Sequence, residues 1–314
     1  MAKRILALIL MAAVACAIPL APDALATEDA LKGYQVLTSE SGSFIIFYPP
    51  HLVRMANDID RLLEESAGGI ARDLGLEAIG TIKVILASDA KTYRLLHRGA
   101  IPEWGIAFSD LDARVLGIDV DLVVRNPRPF STVIRHELSH LLLAQRVGGA
   151  AVPAWFMEGL AVMQAGGWDF SDEWRLMTLV GRRDLPYLEA LKGPFPRAAD
   201  EAALCYGVSY LAVKELFRAN PGALLTLTAF IRDSGDFEGS FVSTFGRSTY
   251  DFGGKLYVEI DRRYKTAGTI LDASPYWLGA ALLFVTVYLV KRARGRRKLE
   301  RWEEEEAIER RFWY

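Results

Sequence analysis

The stretch Arg135-His136-Glu137-Leu138-Ser139-His140 sets two imidazoles and a carboxylate inside an apolar run, residues 132–143. On an α-helix, positions four apart return to nearly the same face, so His136 and His140 can aim ring nitrogens at one point. A single Zn²⁺ ion fits there, and Glu137 stands beside it where it can handle a proton. Two histidines leave such a site incomplete, because catalytic zinc usually takes three protein ligands and keeps one position open. Glu158 is the candidate for the third, carried on a second apolar segment, Trp155-Phe156-Met157-Glu158-Gly159-Leu160-Ala161.

The elements that would position these groups follow from periodicity and punctuation. Ser131 is a reasonable N-cap for the motif helix, which should run to about Val147 and stop at Gly148-Gly149. Pro153 suits the start of the second helix, and Gly166-Gly167 its end. Upstream, residues 44–48 read as a short apolar strand closed by Pro49 and Pro50. Leu52, Met55, Ile59, Leu62, Leu63, Ile70 and Leu74 recur at helical spacing, with Gly75 as a stop. Residues 82–86 alternate as a second strand, and a short helix covers 90–96. The segments 104–107 and 114–118 flank an Asp-rich turn at 110–112 and predict a hairpin; 122–124 adds one more strand before the proline-bearing link at 127–129. Further helices are expected over 172–180, 187–191, 202–218 and 224–233. The sum is an α+β domain, 27–267, with a sheet lobe at 27–130 and a helical lobe at 131–267.

Composition bounds the rest. The chain has 314 residues, 51% of them hydrophobic, and a net charge of −2. A nucleic-acid binder would need a basic patch in its folded domain, and none is visible, so nucleic acid is excluded as a partner. Cys16 and Cys205 are the only cysteines. Cys16 falls in a segment that reads as an export signal. There Lys3 and Arg4 precede the apolar run 5–18, and Ala24-Leu25-Ala26 offers a cleavage site that makes 1–26 a signal peptide. The remaining thiol cannot form an internal disulfide, so the fold rests on its core. Near the other end, residues 273–290 carry no charge and predict one transmembrane helix, just long enough at about 1.5 Å per residue. Lys291, Arg292, Arg294, Arg296, Arg297 and Lys298 follow at once. That bias places a tail, 291–314, in the cytoplasm and the histidine-bearing domain outside it.

The motif pair resembles the gluzincin metallopeptidases, and best the bacterial peptidase MA-like group, whose pattern is H-E-x-x-H followed by P-x-W-x-x-E-G-x-A. Here the second part stands as Val152-Pro153-Ala154-Trp155-Phe156-Met157-Glu158-Gly159-Leu160-Ala161. Looser likeness extends through residues 102–107 and 206–210, and covers roughly 40–265. The resemblance implies a thermolysin-like zincin, a small mixed sheet lobe and a helical lobe around the H-E-x-x-H helix. It also implies a zinc endopeptidase acting on peptides or proteins, with one Zn²⁺ held by His136, His140 and Glu158; the predicted anchor would keep its substrates at or near a membrane. Glu137 would be the general base. An edge strand of such proteins pairs with substrate, for which 113–119 is the candidate, with Ala113, Arg114, Val115, Leu116 and Gly117 as substrate contacts. A second electrophile is usual on the helical side. His51 and His97 lie in the other half, so Tyr206 is the choice, with Tyr210 and Tyr187 as competitors.

Other readings stand beside these. H-E-x-x-H alone arises by chance, and a lone histidine on an apolar face is usually a satisfied core residue. The glutamate at gluzincin spacing is what lifts this case above that background. Trp155, Phe156 and Trp104 read as core or structural residues, Arg135 as facing solvent or a carboxylate, and Cys205 as a small buried apolar residue. One departure from the family pattern is Val162, where many gluzincins carry an aspartate that accepts a hydrogen bond from a ligating histidine; Asp169 or Asp172 would have to substitute. The competing functional class is a non-catalytic, zinc-bearing module that binds extended peptides from a membrane tether.

Overall fold

The computed structural model describes residues 31–96, 106–125, 129–265, 276–292 and 294–295. The expected export signal, His97, Trp104 and the tail beyond residue 295 lie outside them. The described chain is a mixed α+β structure, mostly helical, with one five-stranded sheet. Its strands are β1 (Gln35–Thr38), β2 (Phe44–Tyr48), β3 (Ile82–Ala87), β4 (Ala107–Asp110) and β5 (Val115–Asp119), in the spatial order β1-β2-β3-β5-β4. β2, β3 and β5 run parallel, while β1 and β4 are antiparallel to their neighbours. Parallel neighbours require a crossover, and α1 (Val53–Leu74) supplies the one between β2 and β3. Its buried face is Ala56, Ile59, Leu63, Ala67, Ile70 and Leu74, and it ends at Gly75 as its sequence predicts. The short helix α2 (Ala90–Leu96) follows β3.

Two local expectations change. Residues 122–124 lie in a helix, α3 (Val120–Arg125), although valines in a row favour a strand. The cause is Asp119, whose Oδ1 accepts a hydrogen bond from Leu122 N at 3.0 Å and so starts a helical turn where β5 ends. The motif helix α4 (Phe130–Arg146) begins two residues earlier than a Ser131 cap would place it, with Pro129 at the N-cap. β1 has only Leu37 half-buried and gives little periodic signal.

The helical part continues with α5 (Ala154–Ala165), α6 (Phe170–Val180), a 3₁₀ turn at Leu188–Leu191, α7 (Ala199–Ala219) and α8 (Ala223–Ser234). Two helices beyond those expected follow, α9 (Phe237–Phe245) and α10 (Thr249–Ile260), then a π-turn at Asp261–Lys265. Asp236 and Ser248 cap α9 and α10, each through its side-chain oxygen. α4 is wedged between α1 and β4 on one side and α5 on the other, and its residues from His136 to Leu143 are all buried. Trp155 and Phe156 are fully buried, edge-on to one another and among Phe237, Phe241 and Phe252. Removing about 150–250 Å² per ring from water gives an upper value of roughly 4–6 kcal/mol for each. This cluster fixes the start of α5, the helix that carries Glu158.

Among the described residues no helix is long and apolar enough to cross a membrane. Residues 276–292 are helical, and Tyr276, Trp277, Leu282, Leu283, Phe284 and Val287 are exposed on them.

Candidate metal centre and active site

His136 and His140 are one helical turn apart on α4, and both imidazoles project toward α5. The register between the two helices is held in two ways. Ser139 Oγ donates to Gln164 Oε1 at 2.6 Å, tying α4 to the end of α5. Gly159 lets α5 lie against α7: a Cβ there would stand 2.2 Å from the carbonyl oxygen of Ser209 and 2.7 Å from Val213 Cγ2. No side chain larger than hydrogen fits, which gives the glycine after Glu158 a packing reason.

With the helices so placed, three ligand atoms converge. His136 Nε2 is 3.1 Å from His140 Nε2 and 3.3 Å from Glu158 Oε2; His140 Nε2 is 3.7 Å from the same oxygen. All three residues are buried, at 2%, 0% and 3% exposure. Points with these separations lie on a circle of radius about 2.0 Å, close to the bond lengths at which histidine nitrogen and carboxylate oxygen hold zinc, about 2.0–2.2 Å. Among the described residues Glu158 Oε2 has no well-formed hydrogen bond, and both imidazole nitrogens crowd against it. A buried carboxylate oxygen and two ring nitrogens pointed at one another are unfavourable alone and favourable around a cation. The group could hold a metal ion, and its donor set and spacing fit zinc.

Electrostatics follow from burial. The Glu137 carboxyl is pushed up to about 7, mainly by burial and slightly by Glu158, against the opposing pull of His136 and of a hydrogen bond from Ser109. Burial, then His136, holds His140 well below the ordinary imidazole range. Burial raises Glu158, and its contacts with His136 work the other way. Each of these shifts disfavours the charged form of a buried group.

Glu137 lies on the same helix between the histidines, fully buried. Its Oε2 accepts from Ser109 Oγ at 2.6 Å, and its Oε1 is without a partner among the described residues. Ser109, on β4, is a residue that sequence reasoning missed.

The three competing tyrosines separate. Tyr206, on α7, is buried and sets its ring edge-on to His136, with centroids 6.5 Å apart. Burial, then Glu158 and Glu137, raise its hydroxyl well above the ordinary phenol range, so it remains a donor. Tyr210 instead stacks on Trp168 at 4.4 Å, and Tyr187, half exposed, stacks on Tyr257 at 4.2 Å. His51 sits in an exposed 3₁₀ turn of the sheet half.

The expected substrate-binding strand is corrected. Residues 115–119 form β5, which is interior: it is paired to β3 on one side and β4 on the other, so its backbone groups are already used. The outermost strand is β4. Ala113 and Arg114 belong to the turn, Arg114 at φ 54°, and the Arg114 guanidinium points away from the site to Gly80 O, Thr81 O and Gln145 Oε1. Val115 and Leu116 belong to the interior ladder, and Gly117 makes room for the Phe108 ring, which a Cβ would meet at 2.1 Å.

The position where an aspartate was wanted is hydrophobic in its surroundings too. Val162 is buried against Ala202 and Tyr206. Asp169 and Asp172 do not replace it. They form the capping box of α6, where Asp169 accepts from Ser171 N and Asp172 N, and Asp172 from Asp169 N. Nδ1 of both His136 and His140 is buried with no hydrogen-bond partner among the described residues. Arg135 is half-buried and reaches Ser66 Oγ on α1 at 3.4 Å, not a carboxylate.

A family model described as the peptidase MA superfamily matches residues 95–256, just over half of the chain. No curated protein matches it.

Proposed function

The chain belongs to the peptidase MA superfamily, and on that premise we propose that it is a zinc-dependent endopeptidase of the gluzincin, thermolysin-like type, tethered to a membrane. The observation that carries the reading is the buried triangle of His136, His140 and Glu158 with the Glu137 carboxylate beside it. His136, His140 and Glu158 would hold Zn²⁺. The chemistry supplied by bound zinc is Lewis acidity, which acidifies water and polarises a peptide carbonyl. Glu137 takes a proton from the attacking water on its unpartnered Oε1 and returns it to the leaving amine. Tyr206, kept protonated by its surroundings, donates to the carbonyl oxygen as charge develops there. Burial of all five groups keeps competing water away and strengthens each of these contacts.

The address is part of the same proposal. Exposed apolar side chains along residues 276–292 are unfavourable in water and suited to lipid, and basic residues follow directly. With a signal peptide at 1–26 and a span at 273–290, the catalytic domain would work on the extracytoplasmic side, on peptides or proteins close to the membrane.

The test is metal content and cleavage together. Purified chain should carry one zinc and cleave internally quenched peptides from a diverse set. Glu137→Ala should abolish cleavage while zinc and fold persist. Wild-type chain that holds zinc but cleaves none of the set would favour the non-catalytic peptide-binding module instead.

A further inference from the structure

The two oxygens of the Glu137 carboxylate have different surroundings. Oε2 accepts a short bond from Ser109, and Oε1 has no partner among the described residues. The Ser109 hydroxyl also stands 3.1 Å from the carbonyl oxygen of Glu137 itself, so one serine meets both the side chain and the backbone of the same residue. A hydroxyl has one proton to give, and the shorter contact to a carboxylate takes it.

The serine is itself held. On β4, side chains alternate, so Ala107 and Ser109 face α4 while Phe108 faces the other way. Phe108 is locked there, its ring over Gly117 and tilted against Tyr93 at a centroid distance of 5.5 Å. A slip of one residue along β5 would exchange the buried ring and the serine, which the packing forbids. Ser109 is therefore a fixed point on the sheet, aimed at a flexible side chain on the helix.

A glutamate has three rotatable side-chain bonds, and helix packing fixes the first more firmly than the last. Without a partner for one oxygen, the carboxylate can rotate and present either oxygen, or neither, to the metal-facing space. We propose that Ser109 is a positioning residue: by holding Oε2 it leaves Oε1 as the oxygen that faces the metal group and takes the proton. The inference rests on the reading of Glu137 as the base. It adds that the base is aimed from the sheet half, by a residue outside the group that could hold the metal.

The experiment compares zinc-loaded full-length wild type with Ser109→Ala and Ser109→Thr, using internally quenched peptides, metal analysis and crystal structures. Ser109→Ala should lower kcat about 10- to 100-fold, the loss expected from a misplacement of about 1 Å. KM should stay within about twofold and zinc content unchanged, and the carboxylate of Glu137 should occupy more than one orientation. Ser109→Thr, which keeps the hydroxyl, should restore a single orientation and most of kcat. In a Glu137→Gln background, Ser109→Ala should cost nothing further. Where the alanine variant fails to fold, Ser109→Cys keeps the volume with a weaker donor and should fall between. Unchanged kcat with Glu137 still in one orientation would overturn the inference. A wild type that holds zinc and cleaves nothing would defeat the proposed function, and the carboxylate orientation in Ser109→Ala would still decide what Ser109 does.

Discussion

Consider Gly159→Ala, a single methyl added one residue after Glu158. The new Cβ would lie 2.2 Å from Ser209 O, 2.6 Å from Ser209 C and 2.7 Å from Val213 Cγ2. Two of these atoms are backbone and cannot rotate aside. Reaching an ordinary contact of about 3.3 Å therefore requires α5 and α7 to part by roughly 1 Å. Overpacking of this kind costs about 1–3 kcal/mol, and a clash with backbone belongs at the upper end. The same motion displaces Glu158 relative to the histidines. Since its oxygen now sits 3.3 and 3.7 Å from the two ring nitrogens, a shift near 1 Å in either direction spoils the spacing at which one ion can be held by all three. Loss of that ligand should weaken zinc binding at least as much as loss of an outer partner does, about 10- to 100-fold, or about 1.4–2.8 kcal/mol. Urea titration in EDTA would isolate the packing cost, and competition with a chromophoric chelator would give the change in affinity. Gly68→Ala is the control, because a Cβ there meets nothing within 4 Å on an exposed face of α1. It should gain about 0.5–1 kcal/mol from helix propensity alone. If Gly159→Ala unfolds at the wild-type midpoint in EDTA and binds zinc within twofold of wild type, the reasoning about this helix contact fails.

Further predictions follow from the same site. In metal-free protein, Glu137 titrates near 7 against an ordinary 4.5, so between those values the folded chain keeps a proton the unfolded chain has lost. Stability therefore falls as pH rises through that window, by about 3 kcal/mol in all from this group. Glu137→Gln should match wild type at pH 4.5 and exceed it by about that amount at pH 8 in EDTA; His140 acts in the opposite sense but equally in both chains. Equal urea midpoints at pH 8 would contradict the buried charge. Zinc at about a thousand times its Kd should add about 4 kcal/mol to wild type, or about 8–16 °C in thermal melts, and little to His140→Ala. A melt that ignores zinc would remove the metal centre. Truncation after residue 267 should move the chain from the carbonate-washed membrane pellet to the supernatant, and continued pelleting would rule out the proposed anchor.

The two ligand-bearing helices were legible because both of their signals are local. A four-residue return on one face, proline before and glycine after each need only neighbours in the chain to be read. Gly75, which closes α1, belongs to the same class. The edge strand was misread for the opposite reason. Residues 104–107 and 114–118 both read as short strands, where the described strands are 107–110 and 115–119, and which lies outside depends on where β3 pairs, a choice made across more than twenty residues. Residues 122–124 read as a strand and lie in a helix because valine propensity lost to a cap at Asp119, a one-residue signal. Asp236 and Ser248 were equally readable caps, before helices whose glycines blurred the periodicity. Ser109 carried no signal of its own. It is one small polar residue in a four-residue strand, and its meaning comes from a carboxylate 28 positions later.

Ownership of these groups is divided, since the proposed metal ligands all come from α4 and α5 while the proposed aim of the base comes from the sheet. Loss of the carboxylate at position 137 would therefore silence the proposed chemistry, and loss of the hydroxyl at position 109 would slow it, without loosening the ion. Descendants of such a chain could persist as stable metalloproteins that grip peptides and never cut them. A high melting temperature with bound zinc is accordingly a statement about two helices, and catalysis has to be assayed separately.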